Sequence, residues 1–394
     1  MRVAVVGGNL QGVEATYLAK KAGWEVILLD RKAVVPAAGL CDRFEQVNIN
    51  KATDLDSSFK SVDLIIPALE NHEALSCLHN WARCSEVPLA FDPTAYSISS
   101  SKIKSDQLFI KKGVPAPRPW PECDFPVIAK PSFGSGSQEV KAFYDSKHLL
   151  TYLNASTDDR VVQEYVHGPS YSIEVIGRPG MYLPLQVTDL QMDHNFDCKR
   201  VLAPTSLTRT LISDFKKISI TLASALALKG LMDVEVILHD DILKVLEIDA
   251  RLPSQTPTTV FWSTGINMLE MLAMLFLTED KLSNAKINFQ KGVVYEHIQV
   301  TSNVLTVTGE HVISGAGVLR VQRNFFGADE ALTNQAPDRQ KWVATLIICG
   351  ENRETAWERR QQVIADIRKY FKLDAYRDSS LMKDAQEGGC DQVD

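Results

Sequence analysis

Asp233-Val234-Glu235-Val236-Ile237-Leu238-His239-Asp240-Asp241-Ile242-Leu243-Lys244-Val245-Leu246-Glu247-Ile248-Asp249-Ala250-Arg251 reads as two strands flanking an Asp-Asp turn. With a loop around residues 239 to 242, pairing puts Glu235 and Glu247 directly or diagonally opposite each other. By the two-residue period of a strand, Asp233, Glu235, Glu247, Asp249 and Arg251 share one face, and Val234, Val236, Ile248 and Ala250 line the other. Like charges opposed on a sheet destabilise it, so this face calls for a compensating cation or for bulk water. Oxygen-only ligands select Mg²⁺ or Mn²⁺. The hairpin alone leaves both readings open, a solvated amphipathic face and a divalent-cation site.

Upstream segments favour the cation. Pro126-Val127-Ile128-Ala129-Lys130-Pro131 is a short buried strand ending in a lysine, and Ser132-Phe133-Gly134-Ser135-Gly136-Ser137 follows it. A strand-borne cation beside a loop rich in glycine and hydroxyls can hold phosphates, the loop through backbone N–H groups and the lysine as a point charge. The spacing is not GxxxxGK[ST], and neither HRD nor DFG occurs, so P-loop and protein-kinase readings fail. Further on, Val161-Val162-Gln163-Glu164-Tyr165-Val166-His167-Gly168 is an apolar strand running into a glycine turn, whose end can offer backbone groups to an adenine edge. Tyr171-Ser172-Ile173-Glu174-Val175 alternates, with Ser172 and Glu174 on one face and Glu174 in reach of a ribose or a phosphate-bound cation. Nucleotide phosphates held through Mg²⁺ need this combination of groups, and Arg251 can then neutralise a transferring phosphoryl group.

The N-terminal region alternates apolar runs with helical patterns: Val3–Val6, a helix over Gln11–Lys21, Val26–Leu29, Leu64–Ile66, a helix over His72–Arg83, and Leu89–Phe91. Such alternation predicts a parallel sheet with helices on its faces. Gly7-Gly8-Asn9-Leu10-Gln11-Gly12, with Asp30 closing the second strand, imitates a dinucleotide fingerprint. Asn9, however, stands where the middle glycine of GxGxxG would approach a pyrophosphate, so a tight turn is the stronger reading. Glu70 follows Leu64-Ile65-Ile66-Pro67 at the carboxyl end of a predicted strand, where open α/β sheets bind ligands.

Pro115, Pro117, Pro119 and Pro121 mark an extended connector and a boundary. Beyond it come strands with tight turns and helices over Asp214–Leu228 and Asn267–Leu277, then a mostly β module from Val293 closed by a helix over Glu354–Phe371. The fold class is therefore α/β and α+β. The polar tail from Asp374 is expected to fray.

The 394 residues carry 42 Lys and Arg against 49 Asp and Glu, with no basic stripe, so no nucleic-acid partner is indicated. Val260–Leu277 is the most apolar stretch, but Ser263, Thr264, Gly265, Asn267 and Glu270 interrupt it; a buried helix is expected, and no membrane partner. The 7 cysteines form no CxxC and suit a reducing cytoplasm; no leader is apparent before Val3.

Lys130 with its Gly/Ser loop, the Glu164-Tyr165-Val166 hinge, Glu174, and Glu235 with Glu247-Ile248-Asp249-Ala250-Arg251 resemble the ATP-grasp superfamily of carboxylate–amine ligases over roughly Lys102 to Leu277. Leu10-Gln11-Gly12-Val13-Glu14-Ala15, Lys229-Gly230-Leu231-Met232-Asp233-Val234-Glu235 and Ser254-Gln255-Thr256-Pro257 are similar to the pyrrolysine-biosynthesis ligases of that superfamily, which join 3-methyl-D-ornithine to L-lysine. Ser101 departs from that family's tendency to Asp before Lys102, and the superfamily often has Asn where Asp249 stands.

The resemblance implies a Rossmann-like domain over 1–92, an ATP-grasp domain over 93–288 with a nucleotide lid at about 119–178, a β-rich module over 289–373 and a tail over 374–394. It implies ATP as phosphoryl donor with Mg²⁺, two ions, Mn²⁺ being an alternative. Lys102, Lys130, Ser135, Gly136 and Ser137 would hold phosphates; Glu164, Tyr165 and Val166 would hold adenine, and Glu174 the ribose side. Glu235, Glu247 and Asp249 would bind the metal, Arg251 would stabilise an acyl phosphate, and Asp233 would deprotonate the amine. Gln11 and Glu70 would hold L-lysine, Ser254 with Asp193 or His194 would line the ornithine side, and Leu10, Ser172 and Asp233 would be further substrate contacts. A homodimer through the C-terminal module is a further expectation. The alternatives are another ATP-grasp amino-acid or purine-pathway ligase, a nicotinamide oxidoreductase, and a non-catalytic ATP-binding module.

Overall fold

The computed structural model describes residues 1–51, 55–134, 139–278, 290–337 and 339–379. The chain opens β1 (Arg2–Val6), α1 (Leu10–Lys21), β2 (Glu25–Asp30), β3 (Arg43–Gln46), α2 (Leu55–Ser58), β4 (Leu64–Pro67) and α3 (His72–Ala82). These strands form a parallel sheet in the order β3-β2-β1-β4. Val3 through Val6 are all buried, as strands covered on both faces require. Leu89–Phe91, expected as a further strand, meets the sheet only in one bridge, Leu89 to Ile65. Asp92 then caps the next helix by accepting from the Thr94 and Ala95 N–H groups, so the chain turns away.

The glycine turn after β1 is a packing device. Gly7 has φ +103°, and a Cβ there would lie 2.3 Å from the Ala68 carbonyl oxygen; one on Gly12 would lie 2.1 Å from the Gly7 oxygen. Asp30 Oδ2 accepts from the Gly8 N–H at 2.8 Å, so the carboxylate that a dinucleotide site would offer to a ribose is bound into the turn.

Helices α4 (Pro93–Ser99) and α5 (Lys102–Lys112) lead to a small antiparallel sheet, β6-β5-β7, made of β5 (Val127–Pro131), β6 (Lys141–Phe143) and β7 (Arg160–Glu164), with α6 (Ser146–Ala155) between the last two. A large sheet follows, built from β8 (Ser170–Arg178), β9 (Met181–Met192), β10 (Cys198–Ala203), β11 (Gly230–His239), β12 (Ile242–Asp249), β13 (Gly292–Thr301), β14 (Val304–Val307), β15 (Arg320–Phe325), β16 (Ala328–Thr333), β17 (Lys341–Gly350) and β18 (Ala375–Arg377). Its main order is β12-β11-β8-β9-β10-β13-β17-β16-β15. The β10–β13 pairing carries this sheet across the boundary expected near residue 289, so strands from both sides share it.

Helix α7 (Arg209–Ala225) begins ahead of the expected Asp214, because Thr208 caps it at the Leu211 N–H. The helix expected over Asn267–Leu277 is α9 (Met268–Leu277), whereas the apolar run before it forms a separate helix, α8 (Thr256–Thr264), the two bent by 99°. Gly265 ends the first at φ +79° and Asn267 caps the second. Among the described residues no single helix is long and apolar enough to cross a membrane. After α10 (His311–Ser314), α11 (Arg353–Phe371) packs on β13 and β17. The start of the tail does not fray: β18 pairs with β14, and Asp378 is held by Lys199, Arg200 and Arg360. Residues 380–394 lie outside the described residues.

Candidate active site

The β11–β12 hairpin closes on two residues, Asp240 and Asp241, with φ +50° and +61°. Positive φ at both central positions matches a type I′ turn, whose twist suits a hairpin and which Asp tolerates. The register then sets Asp233 opposite Asp249 and Glu235 opposite Glu247. Strand β8 extends both rows, bringing Glu174 opposite Asp233 and Ser172 opposite Glu235. Two parallel rows result, Asp249–Asp233–Glu174 and Glu247–Glu235–Ser172. Val234, Val236, Ile248 and Ala250 on the other face are buried in one core cluster, which prevents the rows from rotating out to water. A bulge between Glu235 and Val236 leaves Leu246 as the extra residue, and its carbonyl accepts from Lys130 Nζ at 3.3 Å.

Burial pushes the Asp249 carboxyl up to about 7, opposed by Arg251 and reinforced by Glu247. Burial also raises Glu235, with Asp233 and Glu247 adding to it, and raises Asp233, against which the Ser172 hydrogen bond acts. The cations available are few and close. Arg251 Nη2 lies 2.6 Å from Asp249 Oδ2 and 2.5 Å from Glu70 Oε1. Lys102 Nζ lies 3.0 Å from Glu247 Oε1 and donates to the Gly134 carbonyl at 2.6 Å. Lys130 is buried, and that burial lowers its pKa while Glu247 opposes the shift. Facing carboxylates supply an all-oxygen donor set, and an ammonium already sits against Glu247; Glu235, Glu247 and Asp249 thus fit a hard divalent cation.

Two cavities meet at these rows, and a third adjoins them through shared lining residues. A cleft of about 770 Å³ is lined by Lys102, Lys130, Phe133, Tyr165 and Val166. It shares Met192, Phe196, Glu235 and Glu247 with a cavity of about 150 Å³ that also takes in Asp233, Asp249, Arg251 and Ser254. That one shares Leu10, Gln11, Glu70 and Glu310 with a crevice of about 380 Å³ at the carboxyl ends of β1, β2 and β4. Gln11 Nε2 donates to Glu70 Oε1 at 2.7 Å, so the N-terminal sheet reaches Arg251 through Glu70.

At the hinge, the Glu164 N–H donates to the Arg118 carbonyl and the Tyr165 N–H to the Pro126 carbonyl. The Glu164 side chain lines the cleft beside Tyr165 and Val166 and is ion-paired with Lys244 at 2.8 Å. Among the described residues the Val166 N–H has no partner.

Several expected residues stand elsewhere. Glu174 does not line the cleft: it is fully buried under Asp233, and its Oε2 has no partner among the described residues. Ser172 is likewise buried, donating to Asp233 and lying 3.5 Å from Glu174 Oε1, so it supports Asp233 from beneath instead of lining the cavity. Asp193 holds a turn, accepting from the Asn195, Asp197 and Gly309 N–H groups, and His194 is exposed outside all three cavities. Their neighbours Met192, Phe196, Asp197 and Cys198 line the middle cavity in their place. Ser135, Gly136 and Ser137 lie outside the described residues. Sequence reasoning missed Glu310, which is half-buried, accepts from Ser254 Oγ at 2.6 Å and from Gln255 Nε2 at 2.9 Å, and lines both the middle cavity and the crevice. An isolated acid beyond Gly309 carries no pattern that could have marked it.

Residues 99–255 match the family model described as an ATP-grasp domain. The 3-methyl-D-ornithine–L-lysine ligase of Methanosarcina mazei is 33% identical, over 94% of this chain and 96% of its own length. The enzyme of the same name from Methanosarcina barkeri is 34% identical, over 94% and 98%. The chain belongs to this ligase family. As ATP-grasp ligases its members are ATP-dependent carboxylate–amine ligases that bind ATP with Mg²⁺. Solved structures repeat the fold: an L-amino acid ligase from Bacillus licheniformis superposes with a TM-score of 0.66 at 17% identity, covering 93% of this chain and 97% of that one. N5-carboxyaminoimidazole ribonucleotide synthetase from Thermotoga maritima gives 0.64 at 19% identity, covering 92% and 98%.

Proposed function

We propose that this ligase activates the α-carboxylate of 3-methyl-D-ornithine with the γ-phosphate of ATP and joins it to the ε-amine of L-lysine, releasing ADP and phosphate. The observation that carries the reading is that the paired acidic rows line both a nucleotide-sized cleft and an acid-lined middle cavity, which in turn shares Leu10, Gln11, Glu70 and Glu310 with the N-terminal crevice. Lys102 and Lys130 hold phosphates in the cleft, and the hinge at Tyr165 and Val166 holds adenine. Glu235, Glu247 and Asp249 hold Mg²⁺, two ions in our reading; when bound, the metal spreads charge on the transferring phosphoryl group.

Arg251 lies where it can stabilise the acyl phosphate, with Glu70 and Asp249 fixing its guanidinium. The crevice takes L-lysine, Gln11 and Glu70 directing the ε-amine inward, and Glu310 with Ser254 faces the ammonium groups of the amino acids. An aliphatic amine has a pKa near about 10.4 and must lose a proton before attack, so a carboxylate beside the carbonyl is needed. Asp233 is that base: it lies in the middle cavity, oriented by Ser172 below it. The scattered cysteines, with no CxxC, suit a reducing cytoplasm, and the exposed edge strand β15 is the surface on which a homodimer would form.

Asp233→Asn is expected to keep ATP-dependent acyl-phosphate formation, read as a hydroxamate when hydroxylamine replaces L-lysine, and to lose amide formation by at least about 100-fold. Equal loss of both products would remove Asp233 from the role of base.

A further inference from the structure

Glu174 stands opposite Asp233 on β8 and is 0% exposed. The ion pairs of the site join Lys102 to Glu247 and Arg251 to Glu70 and Asp249, and none among the described residues includes Glu174. The charged groups that face it are Asp233 and Glu14, both acids. A lone charge held beside like charges in a dry core is costly, so such a group keeps its proton. Burial pushes the Glu174 carboxyl up to about 8; Asp233 adds to the rise and the Thr256 hydroxyl opposes it. Hydrogen-bond counting points the same way. A serine hydroxyl has one proton to give and two lone pairs that accept. Ser172 Oγ donates to Asp233 Oδ1 in a short contact, while Glu174 Oε1 lies 3.5 Å from the same Oγ. Ser172 cannot donate to both carboxyls, yet its oxygen can accept from one while donating to the other.

We propose that Glu174 is a positioning residue: as a neutral acid it donates its O–H to Ser172 Oγ, which commits the Ser172 proton to Asp233 and fixes the carboxylate that takes the amine's proton. This rests on the ligase reading above, with Asp233 as base. Glu174 itself meets no substrate and releases no proton. Donors aligned in one direction polarise one another, so the hydrogen bond that reaches Asp233 is strengthened. An ionised Glu174 would do the reverse. Its Oε1 would compete for the Ser172 proton, and its charge would oppose Asp233 across the β8–β11 pair. Two carboxyls thus flank one hydroxyl in different protonation states, one kept neutral by burial and the other, which lines the middle cavity, left to react.

The test uses the full-length enzyme with ATP, Mg²⁺ and 3-methyl-D-ornithine, and reads two products: the amide with L-lysine and the hydroxamate with hydroxylamine. Glu174→Met keeps the length of the side chain and removes its donor; amide formation should fall at least about tenfold while hydroxamate formation holds. Glu174→Gln supplies a donor that cannot ionise, and its amide formation should exceed that of Glu174→Met by at least about fivefold. In a Ser172→Ala background Glu174→Met should cost little more, because the link to Asp233 is already broken. Unchanged MgADP affinity reports an intact fold. If Glu174→Met loses that affinity, Glu174→Gln decides alone: amide formation within about threefold of native supports the proposal, and a larger loss overturns it. Native amide formation in Glu174→Met, equal losses in the Gln and Met variants, or parallel loss of amide and hydroxamate also overturns it. Absence of both products from native enzyme that binds MgADP sinks the ligase reading and this proposal with it.

Discussion

Glu247→Gln should lower amide formation by about three orders of magnitude or more. Glu247 faces Glu235 across the hairpin, holds Lys102 at 3.0 Å, and lines both the nucleotide cleft and the middle cavity. A bound metal is worth several kcal/mol of transition-state charge stabilisation, and about 1.36 kcal/mol is a factor of ten in rate. Glutamine preserves the shape while removing one charge from the metal set. The same change should not lower the thermal midpoint, because it relieves the like-charge opposition to Glu235 that burial makes costly. Initial rates of product formation together with a melting curve check both halves. Loss of activity accompanied by a large loss of stability would mean that Glu247 acts as a structural partner of Lys102 and not as a metal ligand.

Asp378→Ala should cost about 3–5 kcal/mol of folding stability, the usual penalty for breaking a buried ion pair. Lys199, Arg200 and Arg360 are each buried, and among the described residues Glu296 and Asp378 are the carboxylates that meet them. The Trp357 ring lies 4.9 Å from the Arg200 guanidinium carbon and 5.1 Å from that of Arg360, so a rearranged side chain has little room. Burial would raise the Asp378 carboxyl, but Arg200 and Lys199 outweigh it and hold it well below the usual carboxylate range.

A depressed carboxylate contributes stability that is complete above its unfolded pKa of about 3.9 and is lost as pH falls through the folded value. The gap between native and Asp378→Ala protein should therefore be full at neutral pH and close in strong acid. Urea unfolding across that range measures it. A gap independent of pH would assign the cost to lost packing of the C-terminal segment and not to charge.

What the sequence disclosed and what it hid divide along contact distance. The rows Asp233/Asp249 and Glu235/Glu247 are legible because a two-residue turn fixes the register of a hairpin, and the alternation of Val234, Glu235 and Val236 fixes the face. The third member of each row was not. Glu174 and Ser172 come from β8, and no local pattern states how a strand that distant will align, so Glu174 read as a nucleotide contact when it is a buried partner of Asp233.

The glycine turn was legible as a turn, since Asn9 breaks the fingerprint, yet only the Asp30–Gly8 bond shows why the acid is there. The break between α8 and α9 was written at Gly265 but masked by the apolar run around it. A bulge has no composition of its own, so the register shift between Cys198 and Arg200 was invisible until the strands paired. Glu310 enters the site from the segment just before α10, brought there by tertiary packing alone.

The most direct test of the account incubates the protein with ATP, Mg²⁺, L-lysine and 3-methyl-D-ornithine, follows ADP, and identifies the product by tandem mass spectrometry. The account predicts one amide per ADP, with the ornithine α-carboxyl on the ε-nitrogen of lysine, and no such product from Glu247→Gln. ADP release without that amide, or an amide formed equally well with other amino acids in place of both substrates, would contradict it.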